Sequence, residues 1–551
     1  MTSDALTALA DAFWTQHQEA DPVSAHLDGD HRFAGAYADL SRAAEDARIA
    51  VLRDIAAKAE ALDPADLDAQ ERITRAVLLD RCTSTADVLE TRLAELAADP
   101  IFGIQVIVPL TAGMVSLPTA DVAWAMADRL SGIAQAFRDS ADRLREGREA
   151  GRTPAAFAVR GVIAQVDAQL AAEPADHPAI TRLPAPPAEV DGDAWRTRLA
   201  EVVAAEVRPA QQAYRDCLEH EILPVARPDD RIGLGALADG KAAYAAALRD
   251  ATTTDRTAQE IHDLGLEQIA KLAVEYRALG PEVVGTDDLA AIFDALRDDP
   301  ALHFDDADDI IAASVEAMGR AWAAMPAWFA TMPQARCSVE GTPSGPLAFY
   351  FPPSDDGRDG TFYVNTSDPS AWGTFQIEAI AFHEGIPGHH LQLAVASELD
   401  GLPTMRRRLS INAYAEGWGL YTERLADEMG LYSSPLARVG MLAADSMRAC
   451  RLVVDTGIHA LGWSREQAVQ YMLDNSPVGE ALVRNEIDRY ASWPGQACGY
   501  MVGRLEIDRI RAEAQQRQGD GFDIKTFHAA VLDSGSLPLT VLDEVVRTRL
   551  H

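Results

Sequence analysis

The chain is short of cysteine, of aromatic residues, of basic charge and of long apolar runs, and each shortage excludes something. Its five cysteines, Cys82, Cys217, Cys337, Cys450 and Cys498, are odd in number, far apart and never spaced Cys-x-x-Cys. That pattern suggests neither a disulfide framework nor a cysteine-zinc site, so buried free thiols are expected. Aromatics make up only 7% of the 551 residues, while alanine, leucine and charged residues abound. Such a mix favours amphipathic helices over sandwiches or barrels. No run of about eighteen apolar residues occurs, as a membrane span would need. The first residues, MTSDALTALADAFW, carry an acid early and lack a basic segment. No secretory signal is visible there, and a cytoplasmic protein is expected. Against 85 acidic residues stand 49 basic ones, a net charge of −36. This balance disfavours nucleic acid or an anionic membrane as the main partner.

What is present is helical periodicity. Apolar residues return every three or four positions from Glu45 to Ala61 and from Ala120 to Glu149, as on one face of a helix. Prolines cluster between Glu173 and Asp193, and a second break runs from Leu223 to Gly240. The expected organisation is a helical scaffold over residues 1–225 and a catalytic region over 226–551, joined as one continuous fold. Thr257-Ala-Gln-Glu260 is a capping-box pattern that opens a helix from Ile261 to Leu279, ended by Gly280-Pro281. Two aromatic and β-branched runs, Pro346–Pro353 and Gly360–Asn365, flank an Asp/Gly-rich turn and predict a small hairpin or sheet edge. After Ser370 helical periodicity resumes to the C-terminus. The fold class is mainly α.

The residues that carry chemistry begin at Ile377-Glu-Ala-Ile-Ala-Phe-His383-Glu384-Gly-Ile-Pro387-Gly388-His389-His390. In the ordinary His-Glu-x-x-His arrangement two histidines four apart share a helical face and bind zinc, with the glutamate as general base. Here the fourth position is Pro387, so that template fails as written. On an unbroken helix His389 would be rotated by about 240° and displaced by about 9 Å from His383, too far for one ion. The helix must therefore break. Pro387 disfavours helical geometry at Ile386 and Gly388 tolerates unusual dihedrals, so two residues can be looped out and His389 brought back beside His383. His390 is the alternative ligand; otherwise it faces the channel or a carboxylate. Gln392 follows in the same segment.

A catalytic zinc needs a third protein ligand and an open position for water. Glu416, set among small and apolar residues in Ala413-Tyr-Ala-Glu416-Gly-Trp-Gly-Leu-Tyr421, would be costly there without a partner. An arginine could supply that partner instead, and Glu423 is a second candidate ligand or a supporting group. Gly417 and Gly419 would let this helix approach closely.

These residues bring the chain close to a known family. It resembles the bacterial domain of unknown function 885, a group with a zinc-metallopeptidase pattern. The resemblance rests on His383-Glu-Gly-Ile-Pro-Gly-His-His-Leu-Gln392, Ala415-Glu-Gly-Trp-Gly-Leu-Tyr421, Val454-Asp-Thr-Gly-Ile-His459, Arg489-Tyr490, Pro494-Gly-Gln496 with Tyr500, and Phe527-His528. It covers nearly the whole chain and implies a mostly helical, zincin-like fold with a central channel.

A zinc hydrolase also needs a donor for the oxyanion that develops in the transition state. Arg489, Tyr490 and Tyr500 each match a position of the family pattern; Arg489 could equally pair with an acid, and Tyr490 could be core. Arg451, Asp455 and His459 share a helical face and could orient a ligand histidine or form an ordinary ion-pair network. His528 could be a satisfied core histidine. Asn365 could hold a substrate backbone on an edge strand or simply close a turn. The expected function is hydrolysis of short peptides with one zinc ion held by His383, His389 and Glu416 and with Glu384 as general base. A non-peptide amide substrate and a catalytically silent peptide-binding protein are the alternatives. The sequence leaves the oligomeric state open.

Overall fold

The computed structural model describes residues 2–343, 345–354 and 356–550. Helices dominate, with one three-stranded sheet. The periodic segments fold as expected into Arg42–Glu60 and Ala120–Glu149. Each starts at a hydroxyl cap: Ser41 and Thr119 accept a backbone N–H from the first turn, satisfying a group the helix leaves unpaired. The proline cluster forms only short turns, Pro174–Asp176 and Pro178–Thr181, before Asp191 caps the next helix.

The helices that build the site are α1 (Ile104–Ala112), α2 (Ala156–Ala171), α3 (Ala258–Val283), α4 (Ala307–Trp328), α5 (Ile377–Glu384), α6 (His389–Ser397), α7 (Asn412–Glu428), α8 (Pro435–His459), α9 (Glu480–Ser492) and α10 (Cys498–Gln518). Helix α3 opens on the Thr257/Glu260 capping box. It runs past Gly280 and Pro281 to Val283, beyond the expected stop. A side chain at Gly280 would collide with Ile292, so this glycine marks a packing contact and not a helix end.

The largest buried cluster joins Leu52, Val77 and Leu78 near the N-terminus to Phe382, Trp418 and Met501. A second core lies between Ala34 and Ile222, around Phe137, Trp195 and Tyr214. Arg406 ties the first core together, donating to Thr74 Oγ1 and to the carbonyl of Ser534 while 1% exposed.

The sheet is β1 (Cys337–Thr342), β2 (Ala348–Phe351) and β3 (Gly360–Asn365), in the order β1-β3-β2. The two aromatic runs pair antiparallel, Phe349 opposite Tyr363. β1 lies parallel to β3, Glu340 opposite Tyr363, so β3 is central and the edge expected at Asn365 is covered. β1 and β2 are the two outer strands. Asn365 closes a turn: its amide donates to the Gly345 carbonyl and its Oδ1 accepts from Ser367.

Candidate metal centre

Helix α5 ends at Glu384, at the break the proline requires. Gly385 and Gly388 take φ, ψ of −93°, −116° and −80°, −130°, outside helical geometry, and α6 starts afresh at His389. A Cβ at Gly388 would strike the His383 carbonyl oxygen, so the turn can close this tightly only at glycine. His383 and His389 come edge to face, ring centroids 4.7 Å apart at 86°. Helix α7 delivers Glu416, whose Oε2 lies 3.5 Å from Nε2 of each histidine. The ligand atoms of His383, His389 and Glu416 all lie within 4.8 Å of one another.

Glycines set how near α7 comes. A Cβ at Gly417 would be 2.5 Å from Gly503 on α10, and one at Gly419 would be 2.6 Å from the His383 ring. Thr422 Oγ1 donates to the Phe382 carbonyl (3.2 Å) and Trp418 Nε1 to the Pro387 carbonyl (3.0 Å), pinning α7 to α5 and to the loop after it.

Glu423, fully buried two turns beyond Glu416, accepts from Nδ1 of His383 at 2.8 Å. That bond fixes Nδ1–H as the donor and turns Nε2 toward Glu416 and His389. Burial alone would lower the His383 imidazole, but Glu416 and Glu423 outweigh it and raise it to about 9. For Glu416, burial works upward, yet the two imidazoles hold the carboxyl well below its ordinary range. The pocket thus favours a cation among these side chains. Among the described residues His389 Nδ1 and Glu423 Oε2 are buried without a hydrogen-bond partner, an unusual state for polar atoms. Two imidazoles and one carboxylate lining a cavity fit zinc with a position left for water.

The cluster opens on a cavity of about 820 Å³, walled by Gln105 and Leu110 of α1, Gln169 of α2, the β2 segment from Gly345 to Tyr350, and one face each of α8 and α9. Glu384 and Tyr500 line it beside the donors. Arg451 and Arg489 line it as well, and both pair with Glu486. Burial, reinforced by Glu416, pushes the Tyr500 hydroxyl up to about 12 against the pull of three arginines, so it stays protonated as a donor at neutral pH. Tyr490 is no part of the cavity wall: it is fully buried, and its hydroxyl donates to Glu486 and accepts from Arg451 Nε.

Other expected positions serve the scaffold. His390 faces neither the channel nor a carboxylate; Tyr350 Oη and the Ala335 carbonyl use its two nitrogens, and burial lowers it to about 4. Gln392 donates to the Tyr414 carbonyl. Asp455 accepts from Tyr244 Oη (2.5 Å) and the Gly495 N–H, and His459 bridges the Leu234 N–H and the Tyr490 carbonyl. Neither reaches a ligand imidazole, because over two turns the shared face is divided between different neighbours. His528 stacks on Phe329 at 4.5 Å and bonds Tyr421 Oη and the Trp328 carbonyl. The sequence held a signal for the orienting role of Glu423, since seven residues from Glu416 is two helical turns on the same face.

Comparison with family models finds a match over residues 22–546 to the family described as bacterial protein of unknown function (DUF885). The chain belongs to that family. No curated protein matches it. Among solved structures it is similar to a "putative lipoprotein" from Colwellia psychrerythraea, 26% identical, with a TM-score of 0.93 over 100% of this chain and 99% of that one. A second, a "putative lipoprotein of unknown function" from Shewanella oneidensis, is 19% identical with a TM-score of 0.73 over 98% and 99% of the two chains, which shows the shared fold. This DUF885 member thus shares its mainly α fold with both.

Proposed function

We propose that this DUF885 protein is a zinc-dependent hydrolase of peptide bonds in short peptides. The observation that carries the reading is the convergence of His383 Nε2, His389 Nε2 and a Glu416 oxygen within 4.8 Å on the wall of a cavity. Zinc held by those three supplies a Lewis acid that polarises a carbonyl and makes water acidic near neutral pH. Glu384, next to His383 on the same wall, takes the proton from water and hands it to the leaving amine. Tyr500 donates to the carbonyl oxygen as charge gathers on it. Glu423 keeps His383 in the tautomer that presents Nε2. The outer strand β2 borders the cavity and offers main-chain groups to an extended peptide. A cavity of about 820 Å³ suits a few residues of substrate, not a folded protein.

Metal analysis of the purified protein, joined to a peptide-library cleavage screen, tests the proposal. One zinc per chain and chelator-sensitive cleavage are expected. Metal with cleavage only of non-peptide amides would move the substrate class, and no bound metal would overturn the reading.

A further inference from the structure

The chain carries 85 acidic side chains, yet arginines gather on the α8/α9 wall of the cavity. Arg451 and Arg489 share a single carboxylate, Glu486. Its Oε1 accepts from Arg489 Nε (3.1 Å), and its Oε2 from Arg451 Nη2 (2.8 Å), Arg489 Nη2 (2.9 Å) and Tyr490 Oη (2.5 Å). Two guanidinium groups against one carboxylate leave one positive charge over. Arg489 Nη1 is taken by Gln496 Oε1, but Nη1 of Arg451, a residue only 5% exposed, has no hydrogen-bond partner among the described residues. Arg448, one turn earlier on the same face of α8, makes no ion pair among the described residues; its Nη1 donates weakly to the Ala444 carbonyl at 3.4 Å and its Nε is unpartnered. Asn485 on α9 adds an amide to the same wall.

Uncompensated buried guanidinium is costly unless an anion completes it, and a planar fork of N–H donors matches a carboxylate. The place of the wall says which carboxylate. The Arg451 guanidinium carbon sits 4.4 Å from the Tyr500 ring centroid, and the Tyr500 hydroxyl feels both Glu416 and the three arginines. Tyr500 thus stands against the basic wall and within electrostatic reach of Glu416, on the same cavity. A peptide spans about 3.3–3.6 Å per residue, so a chain end held by the arginines sets a peptide bond one or two residues away over the donor cluster.

We infer that Arg448 and Arg451 form the subsite for the C-terminal carboxylate of the substrate, so that the enzyme trims residues from the C-terminal end of short peptides. This rests on the hydrolase reading of the metal centre. Water adds across the scissile C–N bond; the new carboxylate stays on the N-terminal product, and the released amino acid or dipeptide leaves with the proton on its amine.

The test uses paired N-acetylated tetrapeptides of one sequence, ending in a free acid or in an amide. With zinc-loaded wild-type protein, kcat/KM for the amide is expected to fall by about 100-fold or more. Binding to the Glu384→Gln variant, followed by calorimetry, is expected to be at least about 10-fold tighter for the acid. Arg448→Gln, whose melting temperature should stay near wild type because no ion pair is lost, should erase most of that difference. Equal binding of acid and amide to Glu384→Gln, or an unchanged preference in Arg448→Gln, overturns the subsite. Preferential binding of the acid without hydrolysis by wild type supports the subsite and overturns the hydrolase reading instead.

Discussion

Glu423 accepts a hydrogen bond from Nδ1 of His383 at 2.8 Å, and with it one carboxylate decides which nitrogen of that ring faces the cavity. Glu416, two turns earlier on α7, stands 3.5 Å from the other nitrogen. One helix therefore offers both the candidate ligand and the group that aims its neighbour.

Removing the aiming group should weaken the centre without abolishing it. Glu423→Ala is expected to lower zinc affinity about 10–100-fold, with stoichiometry still near one at saturation. Glu416→Ala should lose measurable binding. Competition with a chromophoric chelator reads both, and the reverse order would exchange the two roles.

Crowding the His383 ring should act through geometry alone. A Cβ at residue 419 would sit 2.6 Å from that imidazole, so Gly419→Ala must push the ring or α7 aside. A stability loss of about 1–3 kcal/mol is expected, accompanied by weaker zinc binding. Denaturant unfolding and chelator competition measure the two effects; wild-type values for both would show that α7 is not packed against the ring.

Glu384, the proposed general base, should separate binding from turnover. Glu384→Gln should keep one zinc and lose at least about 10²-fold in hydrolysis. Loss of metal from a folded variant would make Glu384 a ligand.

Much of this site was legible because it rests on local rules. Pro387 and Gly388 predict a break that can bring His389 back beside His383, with His390 left open as the alternative ligand. The helices announced themselves by period and the β2/β3 hairpin by its aromatic runs. What stayed hidden depends on distant partners. Cys-Ser-Val-Glu-Gly-Thr of β1 carries little strand signal, and its parallel pairing with β3 is non-local, so the central place of β3 could not be read. Arg451, Asp455 and His459 share a face on paper, but α9, Gly495 and Leu234 divide that face among them. The spare charge of Arg448 shows only once its surroundings are known.

Buried neutral histidines should give the protein an acid-sensitive term. Burial lowers His459 to about 4 and His528 to about 3. Unfolded, both titrate near 6.5, so the unfolded chain binds more protons and stability falls as pH drops from about 6.5 toward 4. His528→Gln should remove about one proton from the uptake on unfolding in that window. Unfolding followed against pH checks this; an unchanged proton uptake would mean that His528 is charged in the folded state.

The central claim is that His383, His389 and Glu416 hold one zinc ion. Anomalous scattering at the zinc edge, from crystals of the zinc-loaded protein, measures it directly. The account predicts a single peak at about 2.0–2.2 Å from His383 Nε2, His389 Nε2 and a Glu416 oxygen, with Glu423 still on Nδ1 of His383. A peak bound by His390, a peak elsewhere, or none at these three side chains would contradict it.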